Sequence, residues 1–172
     1  PQRYILLGYT IDSRTGAGKA FQGYFHLLLQ LLKTTPIEEI LEHPKVAERV
    51  QAMRENDRAF RQALQQYSRQ DGNVIITDFR EAPSVPPGNR FLVYTLYPQA
   101  NVSLRIHWGP QRQSVIAAVG HSIFNRTCQT SVGDLMARFG GGGHHGAGTV
   151  PLKPDVADAQ LQEIIDELKA NG

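Results

Sequence analysis

The sequence predicts an α/β protein: a helical N-terminal and linker region followed by an α+β domain, with a mixed sheet of about five strands flanked by helices. Three observations carry that expectation. Unbranched apolar segments with three- and four-residue spacing fill much of residues 1–70. From Asn73 the pattern turns to short β-branched and aromatic runs, separated by Pro, Gly and Asn. The end of the chain returns to helical spacing, with Leu161, Ile164, Ile165 and Leu168 on one face.

Taken in order, "RYILLGYTID" reads as a buried strand, followed by the turn-rich "DSRTGAGK". "AFQGYFHLLLQLLK" is too long and too unbranched for a strand and reads as a helix, stopped by Thr34, Thr35 and Pro36. "PIEEILEH" has Pro at its start and acidic residues in its first turn, the signature of a second short helix. A long helix follows from about Lys45 to Ser68. Its seam runs through Val46, Val50, Met53, Asp57, Phe60, Leu64 and Tyr67, with Asp57 as an interruption, and "RQDG" stops it. That seam suits a linker helix packing on its own domain; a dimer or inter-domain contact is the alternative. "NVIITDFRE", "RFLVYTLYP", "NVSLRIHWG" and "QSVIAAVGHSIF" read as strands. In the third, Val102, Leu104, Ile106 and Trp108 point one way, and Ser103, Arg105 and His107 the other. "VGDLMARF" reads as a short helix, "AGTVPL" as the fifth strand, and the last helix begins near Pro154–Asp155.

Composition narrows the function classes. A chain of 172 residues can hold one domain with a real core and a smaller appended piece. A net charge of +2 is too small to argue for nucleic acid by itself. The single cysteine, Cys128, excludes an intrachain disulfide and fits a reducing cytoplasm, the expected location. No run approaches the ~18 apolar residues of a membrane span, and no secretory signal opens the chain. The abrupt start at Pro1, straight into "YILLGYTI", points to a fragment.

The run "FGGGGHHGAG" is the strongest motif. Gly141 to Gly146 satisfy G-x-G-x-x-G, but the dinucleotide fingerprint needs a strand before it and a helix after it, and here that order is reversed. A phosphate loop of the Walker type needs Lys and Ser or Thr after its last glycine, and His-His-Gly-Ala follows instead. Glycines can bring backbone N–H groups close to an anion, and His144 adds a donor for phosphate or carboxylate. The competing reading is a flexible linker. Against it, strand material still follows and the run lacks the serines of a slack spacer.

"VGDLMARFGGGGHHGAGTVPL" resembles the end of the C-terminal, DHH-associated domain of the DHH phosphoesterases. That family includes RecJ-like exonucleases, oligoribonucleases, phosphoadenosine-phosphate phosphatases, cyclic dinucleotide phosphodiesterases and exopolyphosphatase-related proteins. The resemblance spans Asn73 to Leu168. Upstream, "YTIDSRTG" resembles the fourth motif of the family's catalytic domain, where an Asp at a strand end binds metal; Asp12 stands in that place. A lone Asp before a turn is also an ordinary cap or turn residue. The earlier Asp-bearing motifs and the Asp-His-His triplet are absent from this sequence. The resemblance thus implies that residues 1–70 are a remnant edge of the catalytic domain plus a helical linker, and residues 73–172 the substrate-binding domain. It implies Mn or Mg in the full-length enzyme, none held by this chain alone, and no catalytic residue here. It further implies binding of small nucleotides or short single-stranded oligonucleotides by Gly140, Gly141, Gly142, Gly143 and His144, with the missing catalytic domain as a partner.

Arg105 and His107 share a strand face and join that candidate set. Relatives place a phosphate-binding arginine near "HSIFNRT"; the pattern is shifted here, so either Asn125 or Arg126 fills the role. Guanidinium forks suit paired phosphate oxygens, while a lone arginine is otherwise a solvated charge. His26 and His43 have no metal-ligand spacing, and His121 stands at a strand end near Asn125. Ser122 and Cys128 lack a recognisable base. Tyr94, Tyr97 and Trp108 could stack a base, although Trp108 has apolar companions suited to core packing. Two rival functions remain: a non-catalytic nucleic-acid module, like the related glycine-containing domains at the end of alanyl-tRNA synthetases, and a homodimerising structural piece using the Val46–Tyr67 seam.

Overall fold

The structure, a computed structural model, describes residues 2–11 and 19–172, so Asp12 and the turn after it lie outside the described residues. The chain divides into two compact units, Pro1–Phe60 with Pro86–Gly88, and Arg61–Val85 with Asn89–Gly172.

The first unit is helical: α1 (Gln2–Tyr9), α2 (Lys19–Thr34), α3 (Ile37–Glu42) and the first part of α4 (Pro44–Tyr67). Leu7, Tyr24, Leu28, Ile37, Ile40, Val46 and Val50 form its core. The expected first strand is therefore a helix. A short run that is apolar on every side has no clear period, and tertiary packing decides it: here Leu7 turns inward while Tyr4, Ile5 and Tyr9 stay exposed. The buried Thr10 hydroxyl closes the end of α1 on the Leu7 carbonyl and accepts from Tyr24 Oη, both at 2.6 Å. Along α4, Val46, Val50, Phe60 and Leu64 are buried, but Asp57 is exposed and the half-buried face passes through Asn56. A straight helix turns at 3.6 rather than 3.5 residues, so a strict seam drifts off its face. Phe60 packs where Gly88 offers no side chain; a Cβ there would lie 2.1 Å from the ring.

The second unit is built on β1 (Ser68–Asp71), β2 (Val74–Asp78), α5 (Val93–Leu96), β3 (Val102–Trp108), β4 (Val115–His121), α6 (Val132–Arg138), β5 (Gly142–His144), β6 (Ala147–Leu152) and α7 (Ala157–Ala170). Its sheet is mixed, in the order β1-β2-β3-β4-β6-β5, with β2 and β3 parallel and the other neighbours antiparallel. The described residues give six strands where about five were expected, through three differences. "RQDG" does more than stop a helix: Gly72, at φ +61°, turns β1 back onto β2. The glycine run supplies β5. "RFLVYTLYP" is a 3₁₀ turn leading into α5 rather than a strand, started by Asn89 Oδ1 accepting from Phe91 N at 3.0 Å. Val93 and Tyr94 are adjacent and both buried, which a helix permits and one-sided strand alternation does not.

One sheet face carries the core. Val102, Leu104, Ile106, Val115, Ala117, Val119, Val150 and Leu152 pack against Val132, Leu135 and Met136 of α6 and Leu161, Ile164, Ile165 and Leu168 of α7. Each Val, Leu, Ile or Met side chain among these contributes roughly 1.5–3 kcal/mol when fully buried. No helix among the described residues is long and apolar enough to cross a membrane.

Candidate functional site

The opposite sheet face is defined by register. Arg105 pairs with Ala118, Ala118 with Thr149, and Thr149 with Gly142, so one row crosses β3, β4, β6 and β5 on the same side. The adjacent row is Ser103, Gly120, Ala147 and His144. Three strand spacings separate the ends of a row, about 14 Å. Arg105 and His107 thus bound one side of a trough, Gly142 and His144 the other, and the small side chains of Ala118 and Ala147 keep its floor low. Tyr94 covers the β3–β4 end of the Ser103 row: its hydroxyl donates to the Gly120 carbonyl at 2.6 Å and lies 2.8 Å from Ser103 Oγ. Burial pushes that phenol up to about 12, so its proton stays in place and Tyr94 is structural. Tyr97 likewise spends its hydroxyl on the Ser68 carbonyl, and Trp108 packs on the core with Nε1 donating to the Arg80 carbonyl.

Arg105 is the electrostatic feature of this face. Its guanidinium is partly buried, and among the described residues it has no hydrogen-bond or ion-pair partner. Burial and then the nearby Arg90 charge lower its pKa. Burial, followed by Arg105, also lowers that of His107, whose Nδ1 is enclosed without a hydrogen-bond partner among the described residues. Compare Arg80, where Asp78 and Asp158 each accept a 2.7 Å hydrogen bond and the pKa rises. Buried charge is ordinarily paired. Arg105, with Arg90 nearby, leaves an uncompensated positive field on an accessible face.

The glycine run is a packed hairpin. Gly140 (φ +85°) and Gly141 donate to the Ala137 and Met136 carbonyls, closing the end of α6, so their amides are already spent. A Cβ on Gly141 would meet the Thr149 carbonyl oxygen at 2.3 Å, and one on Gly143 the Ala147 oxygen at 2.2 Å. Gly142 differs: nothing lies within 4 Å of an added Cβ, and by register it ends the row that begins at Arg105. At the hairpin tip, Gly146 N donates to His144 Nδ1 at 3.2 Å, which leaves Nε2 as the exposed donor. His121 holds the tip from β4: its amide donates to Gly146 O at 2.9 Å, Nε2 donates to Thr130 O at 3.0 Å, and its ring meets His145 edge-on. Burial, against the Thr130 hydrogen bond, lowers the His121 pKa. Sequence reasoning left His121 without a role because its partners lie on two segments further along the chain, Thr130 and His145–Gly146.

Asn125 and Arg126 lie on the loop after β4. Asn125 spends both ends of its amide, donating to Gln99 O and accepting from Thr127 Oγ1. Arg126 is exposed and donates only through Nε, to Ile123 O, so its terminal nitrogens remain open among the described residues. Asp12 lies outside the described residues. Among the described residues no group of three or more His, Cys, Asp or Glu is arranged to hold a metal, and the three imidazoles at the hairpin tip are no exception.

No protein-family model and no curated protein matches the chain. Among solved structures it is similar to the pGpG-specific phosphodiesterase PggH from Vibrio cholerae, with 36% identity and a TM-score of 0.91, covering 97% of this chain and 58% of that one. The chain therefore spans little more than half the length of that relative. Two more distant structures share the fold. The DHH domain of a member of the S1P family of ribosomal proteins has 15% identity and a TM-score of 0.51, over 77% of this chain and 33% of that one. An exopolyphosphatase-related protein from Bacteroides fragilis has 12% identity and a TM-score of 0.53, over 87% and 44%. Its helix, glycine hairpin and mixed sheet stand in the order the motif implied, and these similar structures, a DHH domain among them, are consistent with a DHH-associated domain.

Proposed function

We propose that this chain binds the phosphates of small nucleotides or short oligonucleotides, as the substrate-binding part of a metal-dependent phosphoesterase. The observation that carries the reading is the row Arg105–Ala118–Thr149–Gly142 with an unneutralised guanidinium at one end. A phosphate entering the trough supplies the negative charge that Arg105 lacks, in a site where solvent screens it less than at an open surface. A hydrogen bond to such a charged group contributes about 1.5–3 kcal/mol. His144 Nε2 donates from the far side, and Gly142 lets an oxygen approach the backbone without meeting a side chain. The similarity to a pGpG-specific enzyme supports a linear dinucleotide as the substrate class. Mn or Mg belongs, in this reading, to Asp12 and to residues of a longer protein, and no hydrolytic step is assigned to the described residues.

The test is an amide and arginine side-chain NMR titration with a 5′-phosphorylated dinucleotide. The expected result is shifts concentrated at Gly142, Gly143, His144 and Arg105 Nε. Binding that leaves these four signals unmoved overturns the assignment.

A further inference from the structure

Resting on that phosphate site, we propose that Phe124 is a stacking platform for a nucleobase of the bound ligand, which makes the site selective for nucleotides over inorganic phosphate chains. An isolated exposed apolar residue means little. What sets Phe124 apart is the construction of its loop. It is 64% exposed and Ile123 beside it 42% exposed, yet the backbone that presents them is held from several directions. The buried Ser122 Oγ accepts from the amides of both Phe124 and Asn125 at 3.1 Å. Ser122 N donates to Asn101 O at 2.7 Å, and Asn101 Nδ2 donates to Thr127 Oγ1 at 2.9 Å. Asn125 ties the loop to Gln99, and Arg126 Nε to Ile123 O. A loop so braced loses little freedom when a ring settles on Phe124, which is the condition for a rigid aromatic to add affinity.

Position supports the same reading. The loop leaves β4 directly after His121, whose amide and ring touch the tip of the glycine hairpin. Phe124 is three residues further on, within roughly 11 Å of chain. A mononucleotide unit spans a comparable distance from phosphate to base, so a ligand anchored in the trough has a base within reach of the ring. Base–aromatic stacking is tolerant of sequence because every base presents a π face.

The test measures dissociation constants of the chain for a 5′-phosphorylated dinucleotide and for inorganic pyrophosphate, in Phe124→Ala, Phe124→Leu and Phe124→Trp. Leucine keeps an apolar contact without a π face, and tryptophan enlarges that face. Alanine and leucine should each weaken the dinucleotide about tenfold. Tryptophan should hold it at or above the original affinity, and pyrophosphate binding should not change in any variant. Equal losses for pyrophosphate, or leucine binding the dinucleotide as well as phenylalanine does, overturn the stacking role and leave the phosphate site standing. Failure of the unaltered chain to bind either ligand removes the phosphate site and the platform together.

Discussion

At the scale of single residues, Arg105 and His107 act through what faces them across the sheet. That depends on which strands lie beside β3 and in what register, and the sequence carries no local record of either. Nor does composition distinguish Arg105 from Arg80, although carboxylates neutralise one and not the other. The two half-buried imidazoles give the residue-scale prediction. Burial lowers the pKa of both His107 and His121 from their ordinary value of 6.5, so the fold disfavours their protonated forms. Below that value the unfolded chain binds protons that the folded chain refuses. Stability should therefore be full above about pH 7, fall as pH drops through 6.5, and level off only below the folded-state values. Urea midpoints between pH 8 and pH 5 should decline in this way, with a shallower decline in His107→Gln. Midpoints that rise on acidification contradict it.

At the scale of elements, the hairpin explains why four glycines stand together, and the reasons differ from one position to the next. Gly140 needs positive φ to end α6, Gly141 and Gly143 lie against the β6 backbone, and Gly142 has free space beside it. Gly143→Ala should therefore destabilise the chain by about 1–3 kcal/mol, through overpacking against a backbone that cannot yield. Gly142→Ala should leave thermal stability unchanged or slightly raised, since it only restricts the unfolded chain, by about 0.4–1 kcal/mol. It should nevertheless weaken the dinucleotide, because the new methyl group occupies the path of approach. A Gly142→Ala variant that binds as well as the original removes the backbone contact from the account. The glycines read as an anion cradle or a flexible linker in the sequence because strand signals rest on β-branched and aromatic side chains, which this strand lacks. Their place between a helix and a strand was legible all the same. α1 and α5 were misread for a related reason: short apolar runs do not declare their period, and the surrounding packing chooses it.

For the molecule as a whole, the helical first part and the mixed sheet were readable from apolar spacing and β-branched runs, and the likeness to DHH-associated domains from "FGGGGHHGAG" and its flanks; the similarity to PggH extends over 97% of the chain. Activity is a separate matter, because the chain spans 58% of that relative and the described residues hold no metal-binding group. Incubated with Mn or Mg and a 5′-phosphorylated dinucleotide, the chain should bind and not hydrolyse it; turnover that a chelator abolishes contradicts this division of labour. The central claim is that one unneutralised guanidinium on the open sheet face recognises phosphate. Calorimetric titration of a 5′-phosphorylated dinucleotide into Arg105→Met, beside Lys153→Met as a control with the same loss of charge at an exposed site, tests it most directly. The account predicts affinity lowered about tenfold or more in Arg105→Met, unchanged in Lys153→Met, and no loss of folded stability in either. Equal affinities in the two variants would contradict it.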